Sequence, residues 1–461
     1  MGSTSNIINR YVEKQAAVCE EKGRISKDLF VEYGVKQGLR DEKGKGVLTG
    51  LTNISQITAF KNIDGDRVAC DGELLYRGYD VKTLAEQGLK NRFIFEEAAY
   101  LLIFGELPDK AQLEEFKVML SDLRELPTNF TRDVIMKSPT ADIMNSMTRS
   151  VLTLASYDDT TDVLTTANVL RQCMQLISIM SRLAVYGYHA YNHYINDESM
   201  YIHNPLPELS TAENFLRMLR PDKKYTELEA RVLDVALLLH MEHGGGNNST
   251  FTTRVVTSSG SDTYSAIAAA LSSLKGKKHG GANIMVMNMM DDIRAHVKDY
   301  SDKDEIAAYL RKILHKEAFD RKGLIYGIGH AVYSKSDPRE VIFKKFVDKL
   351  AAEKGRGEDL MLYDNIAEIV PAIIEQDRPV MKDVSPNVDF YSGFVYDMLG
   401  IPKELYTPLF AVARIAGWSA HRIEELVTTD KIIRPAYKSL VTFRDYEPRE
   451  ERERSGDKIE V

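Results

Sequence analysis

The sequence predicts an almost entirely α-helical protein, multi-helical, with one small β-element near its N-terminus. Three observations carry that reading. Apolar residues recur at three- and four-residue spacing through nearly all of the chain beyond residue 80. Strand-like stretches are confined to residues 47–80. Alternating βαβ patterning is absent, which argues against a nucleotide-binding parallel sheet.

In chain order, residues 1–45 are polar and partly helical in pattern, and Gly44-Lys45-Gly46 then punctuates the chain. Strands are predicted from Val47 to Leu51, Ile54 to Phe60 and Glu73 to Tyr76, with turns at Asp64-Gly65 and Asp71-Gly72. Phe95, Ala98, Ala99 and Leu102 share one helical face, and Gly105 is the natural stop. Further helices are predicted over 109–123, 139–156, 160–194 and 211–219. From Glu227 to His240, Leu233, Ala236, Leu237 and His240 fall on one side. Tyr264 to Leu274 follows, then 283–298, 304–315, 338–353, 363–376, 389–399 and 406–428. Gly276, Gly280-Gly281, Gly323, Gly355 and Pro402 stand at the breaks. The tail from Glu447 to Val461 alternates charges from Arg449 to Arg454 and reads as a solvated end.

Composition bounds the function. With 461 residues, 44% of them hydrophobic and 28% charged, the chain has material for a sizeable core. Its formal charge of −8 gives no basic excess for a nucleic-acid partner. An anionic substrate would then need locally clustered arginines. Cys19, Cys70 and Cys173 are far apart, which disfavours a disulfide framework or a thiolate zinc site and fits a reducing compartment. No run approaches the roughly 18 apolar residues of a membrane span, and the N-terminus lacks a basic-then-apolar leader pattern. A cytoplasmic protein without a membrane partner is expected.

Four segments place unusual residues at loop-to-helix junctions. The first runs from His240 through His243-Gly244-Gly245-Gly246 to Asn247-Asn248-Ser249. His240 and His243 are three apart, so one helix face could carry both. A metal pair is one reading, but the His-Glu-x-x-His arrangement and a third ligand are missing. A substrate contact by His243 with His240 packed behind it is the other. The second segment is Lys275-Gly276-Lys277-Lys278-His279-Gly280-Gly281-Ala282-Asn283. A histidine just before a helix feels the positive end of its dipole, which favours the neutral ring, and a neutral ring can donate to a carbonyl oxygen. Its plainer role is a turn or cap histidine. The third is Gly327-Ile328-Gly329-His330-Ala331-Val332, running on to Asp337-Pro338-Arg339, where glycines allow close approach to a ligand or merely a tight turn. The fourth is Ser385-Pro386-Asn387-Val388-Asp389, in which Asp389 could cap a helix or act as a general base.

Taken together and in order, these segments resemble citrate synthases, over roughly residues 45–440. Supporting stretches are Gly72-Glu73-Leu74-Leu75-Tyr76-Arg77-Gly78-Tyr79-Asp80 and Leu101-Leu102-Ile103-Phe104-Gly105-Glu106-Leu107-Pro108. Lys277-Lys278 stand where many members carry a less charged pair, and the Gly244-Gly245-Gly246 run is richer in glycine than usual.

The resemblance implies the activity: condensation of acetyl-CoA with oxaloacetate, then hydrolysis of the citryl thioester to citrate and CoA. It gives His279 the thioester oxygen, Asp389 the methyl proton and His330 the keto group of oxaloacetate. It gives the substrate carboxylates to Arg339 and Arg414, with Arg434 supplied by the neighbouring subunit, and a further oxaloacetate contact to His243. CoA would lie against Tyr326, Gly327, Gly329, Ala331, Lys382 and Asn387. No cofactor or metal is implied, and a homodimer with shared active sites is. The implied fold has a large helical domain from residues 1–279, with an N-terminal extension over 1–45, and from 396–461, with a small helical domain, 280–395, inserted in it. The alternatives are a 2-methylcitrate synthase using propionyl-CoA, a metal-dependent hydrolase at His240 and His243, and a non-catalytic helical scaffold.

Overall fold

The structure is a computed structural model, and it describes residues 2–41, 45–63, 66–88, 90–329, 333, 335–378, 384–450 and 452. It divides into two units, 1–51 and 52–461. In the first, α1 (Gly2–Gly23) and α2 (Lys27–Glu32) are both helical, in keeping with the helical pattern of the polar N-terminus. The predicted strand from Val47 to Leu51 does not form. Val47 N–H bonds the Leu39 carbonyl, but Leu48 and Leu51 are exposed and form no ladder pair among the described residues of that unit.

The second unit opens with the β-element, an antiparallel sheet of order β1 (Ser55–Ile63), β2 (Asp66–Tyr76) and β3 (Tyr79–Asp80). The predicted turn at Asp71-Gly72 is instead inside β2. The register slips between Thr58 and Phe60 of β1, so Cys70, Asp71 and Gly72 bulge opposite Ala59. Glycine is required there for closeness: a Cβ on Gly72 would stand 2.3 Å from the Ser336 carbonyl oxygen. The Asp64-Gly65 turn lies outside the described residues.

Fifteen helices follow among the described residues: α3 (Val81–Gly88), α4 (Ile94–Phe104), α5 (Lys110–Asp122), α6 (Ile143–Leu154), α7 (Thr166–Ile195), α8 (Thr211–Leu219), α9 (Glu227–His240), α10 (Asn248–Ser258), α11 (Thr263–Leu274), α12 (Ala282–His296), α13 (Lys303–Leu314), α14 (Pro338–Lys354), α15 (Gly357–Asp377), α16 (Val388–Met398) and α17 (Tyr406–Thr428). The helical class expected from periodicity is therefore the observed one. Local chemistry sets many ends. Asp109, Ser210 and Thr226 form capping boxes at the starts of α5, α8 and α9. Gly105 and Gly355 close α4 and α14 in the left-handed region. Two helices were not foreseen, α3 and α10, the latter because it starts inside a polar Gly- and Asn-rich run.

Two helices are buried on almost every side. In α9, residues 232–240 are all buried, so the one-sided face foreseen for it is an all-round core helix. In α17, every residue from Tyr406 to Arg422 is buried, including Arg414, His421 and Arg422. The two cross closely at Gly417, whose absent Cβ would meet the Met241 carbonyl oxygen at 2.3 Å. A second close crossing joins α12 to α16 at Gly393, against Met287 and Asn283. These crossings bring the ends of α9, α12 and α16 around the middle of α17.

Candidate active site

The α9 end comes first. The helix stops at His240, so His243 lies beyond it and the two histidines do not share a helix face. His240 is fully buried, stacked on Phe410 with ring centroids 3.7 Å apart, and its Nε2 bonds the Tyr396 hydroxyl. Burial, then the charges of Arg339 and Arg414, hold its pKa well below the usual histidine range. His243 is also buried and meets the Tyr333 ring edge-on at 5.5 Å. Among the described residues no group of three or more His, Cys, Asp or Glu side chains could hold a metal ion, so the hydrolase alternative finds no ligand set there.

Arg414 and Arg339 are each 3% exposed. The Arg414 Nε donates to the His240 carbonyl at 2.5 Å, an acceptor left open by the end of α9, while its buried Nη1 has no hydrogen-bond partner among the described residues. Burial lowers its pKa, with Glu242 as the largest opposing influence. Arg339 grips Asp337 through two bonds, Nε at 3.0 Å and Nη2 at 2.7 Å. Burial works against that charge, but Asp337 carries its pKa upward. The same Asp337 caps α14 by accepting the Arg339 N–H and accepts the Val388 N–H at 3.2 Å, at the start of α16.

Asp389 is the second residue of α16 and is half-buried. The cap is not Asp389, as one reading had it, but Asn387, whose Oδ1 accepts the Asp389 N–H at 2.9 Å. That leaves the Asp389 carboxyl uncommitted to capping. Burial pushes its pKa up to about 6, Asp337 adds to this, and Arg339 and Arg414 pull against it.

His279 lies in a turn closed by its N–H to the Gly276 carbonyl at 2.8 Å, three residues before α12 begins. Burial and then the Arg414 charge push its pKa down to about 4. The neutral ring expected from a helix dipole therefore has its cause in burial and a cation. Ser249 at the start of α10 sets the tautomer. Its N–H points at His279 Nε2 at 3.4 Å and its Oγ is 3.1 Å from the same nitrogen. Trp418 of α17 donates to that Oγ at 3.1 Å. With Nε2 accepting, the ring proton is assigned to Nδ1.

The predicted CoA segment is zipped to the start of α16. Ile328 and Pro386 form an antiparallel bridge, Gly329 N–H donates to the Ser385 carbonyl at 2.7 Å, and Asn387 Nδ2 donates to the Gly329 carbonyl at 2.7 Å. Gly327 has φ 80°, and a Cβ there would meet Val286 at 2.9 Å. Tyr326 turns its hydroxyl to Asp320 at 2.6 Å. His330, Ala331 and Lys382 lie outside the described residues. Arg434 is exposed, beyond α17, and among the described residues it makes no hydrogen bond or ion pair. Thus His279, Asp389, Arg339 and Arg414 converge, with His243 joined through Tyr333, which lies 6.0 Å from the Arg339 guanidinium. Arg434 does not join them within this chain. The sequence reading missed Ser249, Trp418, Glu242, His421 and Asp337 as supporting groups, although Ser249, Glu242 and Asp337 stand inside the motifs it singled out.

Comparisons with known proteins establish the family. A family profile for the citrate synthase C-terminal domain matches residues 43–436. A citrate synthase of Synechocystis is 36% identical over 79% of this chain and 84% of that protein. A 2-methylcitrate synthase of Shewanella oneidensis is 35% identical over 79% of this chain and 87% of that protein. The citrate synthase of the thermophilic archaeon Thermoplasma acidophilum, solved as a ternary complex with carboxymethyl coenzyme A and oxaloacetate, superposes with a TM-score of 0.74 at 28% identity. It covers 90% of this chain and 99% of that one. A match of this extent, over the segments that build the site, means that the chain belongs to the citrate synthase family.

Proposed function

We propose that this chain condenses acetyl-CoA with oxaloacetate and hydrolyses the citryl thioester to citrate and CoA. The observation that carries this is one cation, Arg414, acting on both a neutral His279 and a half-buried Asp389. A thioester methyl proton is a poor acid in water. A carboxylate pushed up to about 6 is a stronger base than an ordinary aspartate and is still mostly ionised at neutral pH. The developing enolate oxygen needs a donor at once, and His279 Nδ1–H, neutral through the physiological range, can supply it. Arg414 and Arg339 would hold the substrate carboxylates, a reading supported by the Arg414 Nη1, which has no hydrogen-bond partner among the described residues. His243 would contact oxaloacetate, and His330 would polarise its keto group, as the resemblance implies. CoA would run along Tyr326, Gly327 and Gly329 toward Asn387, with Ala331 and Lys382. No metal or cofactor enters the scheme.

The same reading makes residues 280–395 a small domain that closes on the rest, with His279 and Asp389 near the two hinges. It also makes the protein a homodimer in which Arg434 completes the partner's site. Free Cys19, Cys70 and Cys173 support a reducing, cytoplasmic compartment. Among the described residues no helix is long and apolar enough to cross a membrane.

The test is release of free thiol with oxaloacetate present and acetyl-CoA or propionyl-CoA supplied side by side. Faster turnover of acetyl-CoA is expected. The Shewanella relative favours the propionyl reading as the second one, and a methylene is worth about 1–3 kcal/mol in such a pocket. Thiol release with neither acyl-CoA refutes both. For the shared site, Asp389→Ala and Arg434→Ala proteins are allowed to exchange subunits. About a quarter of wild-type site activity should return, by two-fold symmetry counting. Verified exchange without recovery excludes Arg434 from acting across the interface.

A further inference from the structure

Glu242 is a fully buried carboxylate between two histidines that the reaction scheme leaves without a task. Its Oε1 accepts three hydrogen bonds: from Ser55 Oγ at 2.8 Å, from Gly244 N–H at 2.6 Å and from His421 Nε2 at 3.0 Å. Burial opposes its charge, but His421, Ser55 and Arg414 bring its pKa down to about 2. The network continues away from the site. Arg254 donates to His421 Nδ1 at 2.7 Å, which leaves the His421 proton on Nε2, directed at Glu242. Arg254 in turn pairs with Glu425 at 2.8 Å and with Glu424. All of Glu242, His421, Arg254 and Glu425 are buried.

What this network grips is the main chain on both sides of His243. The peptide before His243 is held by its carbonyl, that of Glu242, which accepts the Tyr76 hydroxyl at 3.0 Å. The peptide after it is held by its N–H, that of Gly244, on Glu242 Oε1. With both flanking peptides hydrogen-bonded, the backbone angles of His243 are restrained. Gly244 has φ 82°, and a Cβ there would stand 2.8 Å from the Ile57 side chain, so this turn favours glycine. Glu242 also supports the Arg414 charge without a hydrogen bond to it, so Nη1 stays available.

We propose that Glu242 is a positioning residue for oxaloacetate, fixing the His243 backbone and counterbalancing Arg414 without occupying its donors. This rests on the condensation reading. Two variants test it, Glu242→Gln and Ser55→Ala, with Glu242→Asp as the conservative rescue. Three quantities are measured: the oxaloacetate KM, its Kd by calorimetry without acetyl-CoA, and the acetyl-CoA KM at saturating oxaloacetate. Glu242→Gln should raise both oxaloacetate constants about 10- to 100-fold, and Ser55→Ala about 3- to 10-fold, as expected for charged and ordinary hydrogen bonds. Glu242→Asp should fall between wild type and Gln, and the acetyl-CoA KM should stay within about twofold of wild type in every variant, the range of one weak contact. A purely structural role would lower the folded fraction, and so the maximal rate, without moving an affinity. If Glu242→Gln does not fold, Ser55→Ala decides by itself. A wild-type protein that releases CoA, with unchanged oxaloacetate affinity in the folded variants, overturns the role of Glu242 alone. A wild-type protein that neither binds oxaloacetate nor releases CoA overturns the condensation reading and this inference with it.

Discussion

Arg339 and Arg414 have the same chemistry and the same burial, yet their surroundings set them to opposite ends. Arg339 is locked in a two-point bond to Asp337, and that pairing carries its pKa upward. Arg414 has a backbone carbonyl on Nε, no partner on Nη1 and a pKa that burial pulls down. One arginine holds structure together, since Asp337 ties the starts of α14 and α16. The other is held ready. Burial alone therefore says little about what a buried cation does; the identity of its acceptor decides how firmly it is anchored.

Asp389 feels the charge of both arginines, and its removal gives the largest effect expected. Asp389→Asn should cut kcat by roughly 10²–10⁴-fold while leaving oxaloacetate affinity near wild type. Near-normal turnover would take Asp389 out of the mechanism. The contrast between the arginines is broken next. Asp337→Asn leaves Arg339 buried with half its anchor gone and should lower stability by about 3–5 kcal/mol in urea unfolding. Arg414→Lys keeps a charge but loses the fork. It should raise the oxaloacetate KM about 10- to 100-fold with a stability change of about 1 kcal/mol. If the two variants lose stability equally, the division into a carboxylate-anchored and a carbonyl-held arginine fails.

The smallest effect is a matter of sign. The folded pKa of Asp389 lies above its ordinary value, so the folded protein holds the extra proton between pH 4 and 6. Stability is therefore lost as pH rises through that window and does not return above it. Asp389→Asn should accordingly gain about 2 kcal/mol at pH 7 and nothing near pH 3. In the wild type, kcat/KM should fall below about pH 6 as the base takes up its proton. A flat acid limb would show that Asp389 does not titrate in the rate-limiting path.

Much of this was legible along the chain. The ranges predicted for α8 and α9 match the observed helices, and the periodicity of α17 ended where the helix does. Asp389, His279 and Arg339 were legible because the motifs around them are continuous. Asp71-Gly72 was misread as a turn because glycine in a strand has two causes, a bend or a close neighbour, and the neighbour, Ser336, is 264 positions away. Glu242 went unassigned for a related reason: a glutamate in sequence is expected in solvent, and the histidine that stabilises its charge is 179 positions away.

The sequence by itself determined the helical class, most helix ends and the ordered set of candidate site residues. Those depend on spacing, caps and short motifs, which act over a few residues. Only the tertiary structure decided the states of those residues: the neutral His279, the raised Asp389, the Arg339 anchored by Asp337 and the Arg414 held by a backbone carbonyl. Each of these is an electrostatic property set by burial and by groups brought from distant helices, and a charge is felt through space rather than along the chain.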